Sequence, residues 1–124
     1  HIVRHPKAVV ASMVEASMKW GRVAYWHQSP EKILERWAIH ENWVLDAKQE
    51  GHPIHTIRLE DLSLHPMTSM KSVFEFLGLE IPEQVAQVIV EDTNPDPNSK
   101  YASFHLPHND NAEQLMKYYN YTNE

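Results

Sequence analysis

The chain has 124 residues, 42% of them hydrophobic and 23% charged, and this composition is typical of one globular domain and excludes a wholly disordered chain. Its formal net charge of −6 argues against nucleic acid as a partner, because nucleic-acid-binding proteins usually carry a basic face. The absence of cysteine excludes disulfides and thiolate zinc sites and slightly favours a cytoplasmic location, and no apolar run reaches the roughly 18 residues that span a bilayer.

The first two predicted elements are a short strand and a helix. Residues 1–3 are predicted to form an apolar strand, and Pro6 suits the first turn of a helix, where its missing N–H costs no hydrogen bond. This helix is expected to run to about residue 20 and to end at Gly21. Because the sequence opens on a strand, we expect it to be the C-terminal part of a longer domain.

A second helix is predicted between Ser29 and Gly51. Ser29 suits the N-cap, Pro30 the first helical position and Glu31 the first turn, while Gly51 suits the C-terminal end. Apolar residues recur at helical spacing on one face, which predicts the side that packs into a core. These residues are Ile33, Leu34, Trp37, Ala38, Val44 and Leu45.

The middle of the chain is predicted to contain a strand and two more helices. Residues 54–59 read as a strand, and residues 67–77 as a helix that Gly78 would cap. Pro82 is expected to open the next helix.

The last part of the chain is predicted to be a loop followed by a helix. Residues 94–98 contain two prolines and cannot continue a helix, so they are predicted to form a loop. This loop is expected to run to about residue 109. Asp110 and Glu113 resemble a capping box that opens the last helix. Two strands separated by helices predict a parallel sheet and an α/β fold. Since two strands make a poor sheet alone, the remaining strands are expected outside this sequence.

The most specific motif lies in the first twelve residues. Arg4 follows the first strand, Pro6 starts the helix, and Ser12 stands eight positions after Arg4. Ligands of open α/β sheets bind beyond the carboxyl ends of strands, and arginine offers a planar fork of donors that suits phosphate. The pattern predicts an anion site to which Arg4 and Ser12 contribute.

This pattern resembles the PAPS-dependent sulfotransferases (PAPS is 3′-phosphoadenosine 5′-phosphosulfate), in which an apolar strand precedes Arg-x-Pro and a serine eight positions after the arginine. Further features agree with the family in order and separation over about residues 1–80. They are a helix with Trp37 and Trp43, Glu60-Asp61-Leu62 for the family's Tyr-Glu-Asp-Leu, His65-Pro66 for its Asp-Pro or Asn-Pro, and Phe76-Leu77-Gly78 for its Phe-Leu-Gly.

The resemblance implies a three-layer, parallel-sheet, P-loop nucleotide-kinase-like fold, of which residues 1–124 would be the mostly helical C-terminal part of a single sulfotransferase domain. It implies that Arg4 and Ser12 bind the 3′-phosphate of PAPS, which donates a sulfuryl group to a hydroxyl or amine. The acceptor would be a small molecule, a carbohydrate or a protein, and no metal is implied.

The sequence departs from the family at three points. Leu59 stands in place of the tyrosine, and no Arg-Lys-Gly triplet precedes the last helix, where Lys100 is the candidate substitute for donor binding. No glycine-rich phosphate loop is found, and the family's catalytic base lies upstream of the Arg-x-Pro motif. We therefore assign no catalytic residue and expect the 124-residue chain alone to be inactive.

Two other functions stay open from the sequence. One is a P-loop kinase-type enzyme in which Arg4 would contact ATP phosphates, and the other is a non-enzymatic helical interaction module with Arg4 and Ser12 on its surface. The histidine pairs suggest a metal site, but zinc needs three or four converging ligands, so a metal is disfavoured. The pairs are His1/His5, His52/His55 and His105/His108.

Other polar and aromatic residues have a structural interpretation beside a functional one. His5 is expected to be a helix-entry residue, and Glu60 and Asp61 to bond backbone amides at the sheet edge instead of forming an acid–base pair. Trp37 is predicted to lie in the core. An aromatic acceptor wall could involve Trp20, Trp26 and the cluster of Tyr118, Tyr119 and Tyr121.

Overall fold

The computed structural model describes residues 1–20, 28–91 and 96–122, and these form two short strands and six α-helices. The predicted stop at Gly21 and the predicted loop residues 94 and 95 lie outside this part. The strands are β1 (Ile2–Val3) and β2 (Ile57–Arg58); the helices are α1 (Pro6–Trp20), α2 (Pro30–Gln49), α3 (Leu59–Leu64), α4 (Pro66–Phe76), α5 (Glu83–Glu91) and α6 (Asp110–Tyr118), and a 3-10 turn covers Ser99–Tyr101.

The chain divides into two units, which we call the sheet unit (residues 1–4 and 53–99) and the helical unit (residues 5–52 and 100–124). In the sheet unit β1 and β2 pair in parallel, with Ile2 opposite Ile57 and Val3 opposite Arg58. This pairing confirms the predicted parallel sheet. Helix α4 packs against α3 and α5 in the same unit.

The second strand is shorter than predicted. Of residues 54–59, only Ile57–Arg58 are in a strand. Leu59 already begins α3, whose first turn contains Glu60 and Asp61. Acidic side chains stabilise a helix N-terminus through the helix dipole, and this accounts for a short helix directly after the strand, where no helix was predicted.

The predicted helix ends at Gly51 and Gly78 are confirmed. Both glycines have a positive φ, 89° and 69°, which side chains with a Cβ rarely adopt. The N–H groups of Gly78 and Leu79 donate to the carbonyls of Glu75 and Phe74 at 3.0 and 2.9 Å, the pattern of a Schellman motif.

Helix α2 is central to the helical unit, because it packs against both α1 and α6. Ser29 caps it as predicted, accepting a hydrogen bond from the Lys32 N–H at 3.3 Å. The predicted apolar face is buried at four of its six positions, whereas Val44 and Leu45 are half-buried. The buried hydrophobic residues of the helical unit are Ala8, Val10, Ala11, Ile33, Leu34, Trp37, Ala38, Ala112, Leu115, Met116, Tyr119 and Tyr121.

The N-cap of the last helix lies one residue before the predicted one. Asn109, not Asp110, is the N-cap, and its side-chain oxygen accepts from the Ala112 N–H at 2.9 Å. An asparagine side chain satisfies the exposed amides of a first turn as well as aspartate does, so both residues suited the position. Among the described helices, none is both long and apolar enough to cross a membrane.

A buried polar pair joins α2 to the residue after α6. The Tyr119 hydroxyl donates to the Glu41 Oε2 at 2.8 Å, and both residues lie in the interior of the helical unit. Burial raises the pKa of the Glu41 carboxyl, while the hydrogen bond from Tyr119 and the charges of His40 and Lys48 oppose this rise. Burial and the Glu41 carboxylate raise the pKa of Tyr119.

Glu41 should make the stability of the helical unit depend on pH. Its folded-state pKa lies above its usual 4.5. Its contribution to the free energy of unfolding is therefore fully present below about pH 4.5 and is lost as the pH rises through the raised pKa. Glu41→Gln should therefore gain stability relative to the wild type as the pH rises above 4.5, measured by urea unfolding. The exposed Asp46→Asn on the same helix should follow the wild-type curve, and a pH-independent difference for Glu41→Gln would contradict this account.

Candidate anion-binding site

Arg4 lies directly after β1, at the carboxyl end of the two-stranded sheet. Its half-buried guanidinium donates from Nε to the Asn98 Oδ1 at 3.0 Å and from Nη2 to the Pro97 carbonyl at 2.7 Å. These bonds fix the orientation of the planar fork. A part-buried guanidinium also acts in a lower dielectric than an exposed one, which strengthens its interaction with an anion.

Asn98 connects the ends of the two strands. Its Nδ2 donates to the Glu60 Oε1 at 2.6 Å, and its backbone N–H donates to the Asp96 Oδ1 at 3.2 Å. Because parallel strands end at the same edge of a sheet, Arg4 after β1 and Glu60 after β2 can share this asparagine. Asn98 was not among the predicted site residues, although Asp96-Pro97-Asn98 has the composition of a turn that bonds its own backbone.

Glu60 and Asp61 have side-chain partners that were not predicted from the sequence. Glu60 accepts from the Asn98 side chain, and an Asp61 carboxylate oxygen lies 3.8 Å from the Arg58 Nε. The donor to Glu60 comes from the loop at residues 96–98, which is distant in sequence.

Ser12 belongs to the helical unit, on α1. Its half-buried hydroxyl donates to the Val9 carbonyl at 3.0 Å, and Ser17 on the same helix donates in the same way to the Val14 carbonyl at 2.8 Å. A hydroxyl can rotate and keeps two lone pairs, so Ser12 can redirect its single hydrogen to a ligand. Its relation to Arg4 remains the eight-residue spacing in the sequence.

Lys100 also belongs to the helical unit, where its ammonium contacts both Glu15 carboxylate oxygens at 2.7 and 2.6 Å. Lys19 lies 2.8 Å from the same carboxylate, and the Tyr101 hydroxyl donates to it at 3.3 Å. The hydrogen bonds from Lys100 and then Lys19 lower the pKa of Glu15 to about 2, and Glu15 raises the pKa of Lys100. Lys100 was predicted from the sequence, whereas its carboxylate partner Glu15 was not.

Two histidines have hydrogen bonds that define their roles. The His5 Nδ1 accepts from the Lys7 N–H at 3.1 Å and its Nε2 donates to the Thr122 carbonyl at 2.9 Å, so His5 stands at the helix entry as predicted. The His55 Nε2 lies 3.0 Å from the Ser72 Oγ, which itself donates to the Ser69 carbonyl at 2.7 Å. Since a hydroxyl has one hydrogen, the Ser72 hydroxyl that donates to Ser69 accepts from His55, which is not the arrangement of a serine activated by a histidine base.

The histidine pairs do not assemble a metal site in the part of the chain that the structure describes, where no group of three or more His, Asp or Glu residues could hold an ion. His108 instead lies 2.8 Å from a Glu113 carboxylate oxygen and 3.1 Å from an Asp110 oxygen. The Glu113 hydrogen bond and charge, followed by the charge of Asp110, raise the pKa of His108.

The aromatic residues that could line a pocket for the sulfuryl acceptor differ in their exposure to solvent. Trp37 is buried, which confirms its core position, and Tyr119 and Tyr121 are buried in the helical unit as well. Trp20 and Tyr118 are exposed, at 72% and 57%. Trp26 lies outside the described residues.

The chain is similar to one known protein family and to a solved structure. A family model described as the sulfotransferase domain matches residues 1–117. The solved "Sulfotransferase Domain from the Curacin Biosynthetic Pathway" superposes with a TM-score of 0.70 at 19% identity, covering 98% of this chain and 52% of that one. The chain therefore spans about half the length of that structure, and the likeness confirms the predicted fold class. No curated protein matches the chain.

Proposed function

The chain belongs to the sulfotransferase domain family, and from this we propose that the whole protein transfers a sulfuryl group from PAPS to a hydroxyl or amine acceptor. In this proposal the residues from Arg4 to Ser12 bind the 3′-phosphate of the donor. The observation that carries it is the guanidinium of Arg4, held beyond the carboxyl end of β1 by Asn98 and Pro97. Ser12 follows on α1 at the spacing of the family's motif.

The proposed reaction needs positioning more than covalent participation by the protein. The acceptor oxygen or nitrogen attacks the sulfur of PAPS and forms a new bond to it. The bond between sulfur and the oxygen that joins it to the 5′-phosphate breaks, and 3′,5′-bisphosphorylated adenosine leaves. The proton of the acceptor passes to a base. By analogy with phosphoryl transfer, the protein aligns the two reactants and stabilises the transferred charge. Arg4 and Ser12 would hold the far end of the donor, so they would contribute affinity and alignment and not the bond-making step.

Lys100 is the third proposed contact with the donor phosphate. It is charged and 62% exposed, which suits an ammonium that meets a ligand from solution. In the structure it is bonded to Glu15, so contact with phosphate requires this ion pair to open or to be shared. The acceptor would be a small molecule, a carbohydrate or a protein.

The proposal is tested by incubating the full-length protein with PAPS and a panel of hydroxyl and amine acceptors. We expect formation of 3′,5′-bisphosphorylated adenosine together with a sulfated acceptor. Parallel reactions with ATP should give no phosphorylated acceptor. Phosphorylation from ATP without sulfation from PAPS would support the kinase-type alternative and overturn the proposal.

Ser12 and Ser17 provide a matched pair for testing the serine of the motif. Ser12→Ala should weaken binding of 3′,5′-bisphosphorylated adenosine to the full-length protein by about three- to tenfold, the worth of one hydrogen bond. Ser17→Ala removes the same kind of intrahelical bond from α1 and should leave the affinity unchanged. Equal losses for both variants in isothermal titration would show that the helix, and not a phosphate contact, is responsible.

A further inference from the structure

Four side chains of the helical unit meet at one carboxylate, and we call Glu15, Lys19, Lys100 and Tyr101 the Glu15 cluster. The Lys100 ammonium donates hydrogen bonds to both carboxylate oxygens of Glu15. Lys19, one turn further along α1, contacts Oε1, and the Tyr101 hydroxyl donates to Oε2. The Lys100 ammonium also lies 5.5 Å from the centre of the Tyr101 ring. Two lysines against one carboxylate leave the cluster with a surplus positive charge in a chain whose net charge is −6.

The cluster stands at an open surface and not in the core. The Glu15 side chain is 30% exposed, and the residues of the cluster other than Lys19 line a cavity of about 480 Å³ together with Val14, Met18 and Phe104. Because the pKa of Glu15 is lowered to about 2, the carboxylate stays charged throughout the neutral range. A phosphate entering this cavity would therefore meet a lysine that already has an anionic partner.

We propose that Glu15 competes with the 3′-phosphate of the donor for Lys100, holding the ammonium in the free protein and releasing it when the donor binds. This inference rests on the proposed function, in which Lys100 contacts the donor. A carboxylate and a phosphate oxygen are the same kind of acceptor for an ammonium, so the exchange replaces one charge-assisted hydrogen bond by another. Glu15 thereby lowers donor affinity while keeping Lys100 ordered.

The direction of the effect follows from comparing the ion pair that Lys100 gives up with the ordering that this pair provides. To reach phosphate, Lys100 must leave Glu15, and an exposed pair of unit charges about 4 Å apart is worth about fivefold in affinity. Loss of the ordering contact would oppose this gain, because an immobile lysine binds at lower entropic cost. Glutamine retains a side-chain oxygen that can accept from Lys100, so Glu15→Gln removes the charge and keeps most of the ordering.

The experiment measures binding of 3′,5′-bisphosphorylated adenosine to the full-length protein by isothermal titration at low and high salt. Glu15→Gln should bind about three- to tenfold more tightly at low salt, with a smaller gain at high salt because exposed charges are screened. AMP, which lacks the 3′-phosphate, should bind Glu15→Gln and wild type alike. Glu35→Gln removes a carboxylate from the exposed Lys32 pair on α2 and should change neither affinity.

A double-variant comparison shows whether the effect passes through Lys100. Lys100→Ala should weaken bisphosphate binding, and Glu15→Gln added to Lys100→Ala should give a much smaller gain than it gives alone. An unchanged or weakened affinity in Glu15→Gln, or a full gain without Lys100, overturns the inference. If Arg4→Ala still weakens bisphosphate binding selectively, the proposed function survives that failure; if wild type does not prefer the bisphosphate over AMP, both fail.

Discussion

Arg4→Ala is expected to weaken binding of 3′,5′-bisphosphorylated adenosine to the full-length protein by one to two orders of magnitude. A hydrogen bond to a charged group contributes about 1.5–3 kcal/mol, which corresponds to roughly 10- to 150-fold in affinity. Arg4 should reach this range because its fork is already oriented by Asn98 and Pro97, so little side-chain entropy is lost on binding. AMP should lose much less affinity, because it has no 3′-phosphate.

Two further variants separate the charge of Arg4 from its geometry. Arg4→Lys keeps the positive charge but cannot reproduce the planar fork, so we expect an intermediate loss of bisphosphate affinity. Asn98→Ala removes the side chain that orients the guanidinium and should cost less than Arg4→Ala. Urea unfolding of each variant shows whether the sheet unit is intact. Equal losses of affinity for the bisphosphate and for AMP would refute the 3′-phosphate assignment.

Leu34→Ala should lower the free energy of unfolding of the helical unit by about 2–5 kcal/mol, the range observed when a buried leucine is truncated. Leu34 is only 1% exposed and lies on α2, which packs against both α1 and α6. Alanine would lose the burial of the leucine side chain and leave a cavity that three packed helices close only in part. The change is measured as a shift of the urea unfolding midpoint.

Ile39 is the matched control for Leu34, because it lies on the same helix and is 41% exposed. Ile39→Ala removes a side chain of similar size but little buried surface, so it should cost less than about 1 kcal/mol. Because alanine has a higher helix propensity than leucine or isoleucine, neither change should weaken α2 itself, and a similar loss of stability for both variants would contradict the account from core packing.

The sequence alone predicted features that depend on a few neighbouring residues. The cap at Ser29, the glycine ends at Gly51 and Gly78, and the buried face of α2 follow from backbone geometry and from a 3.6-residue period. The parallel pairing of the two strands was also predictable, because helices separate them in the chain. The Arg-x-Pro motif with its serine, taken together with the matching segments downstream as far as Gly78, indicated the family to which the chain belongs.

The tertiary structure decided which partner each polar side chain has. The Arg4 Nε and the Asn98 side chain are 94 positions apart in sequence, Lys100 and Glu15 are 85 apart, and Tyr119 and Glu41 are 78 apart. A periodic pattern relates residues within about two helical turns, so it contains no information about such pairs. Packing of distant segments therefore determines that Arg4 is oriented by Asn98 and that Lys100 is bonded to Glu15.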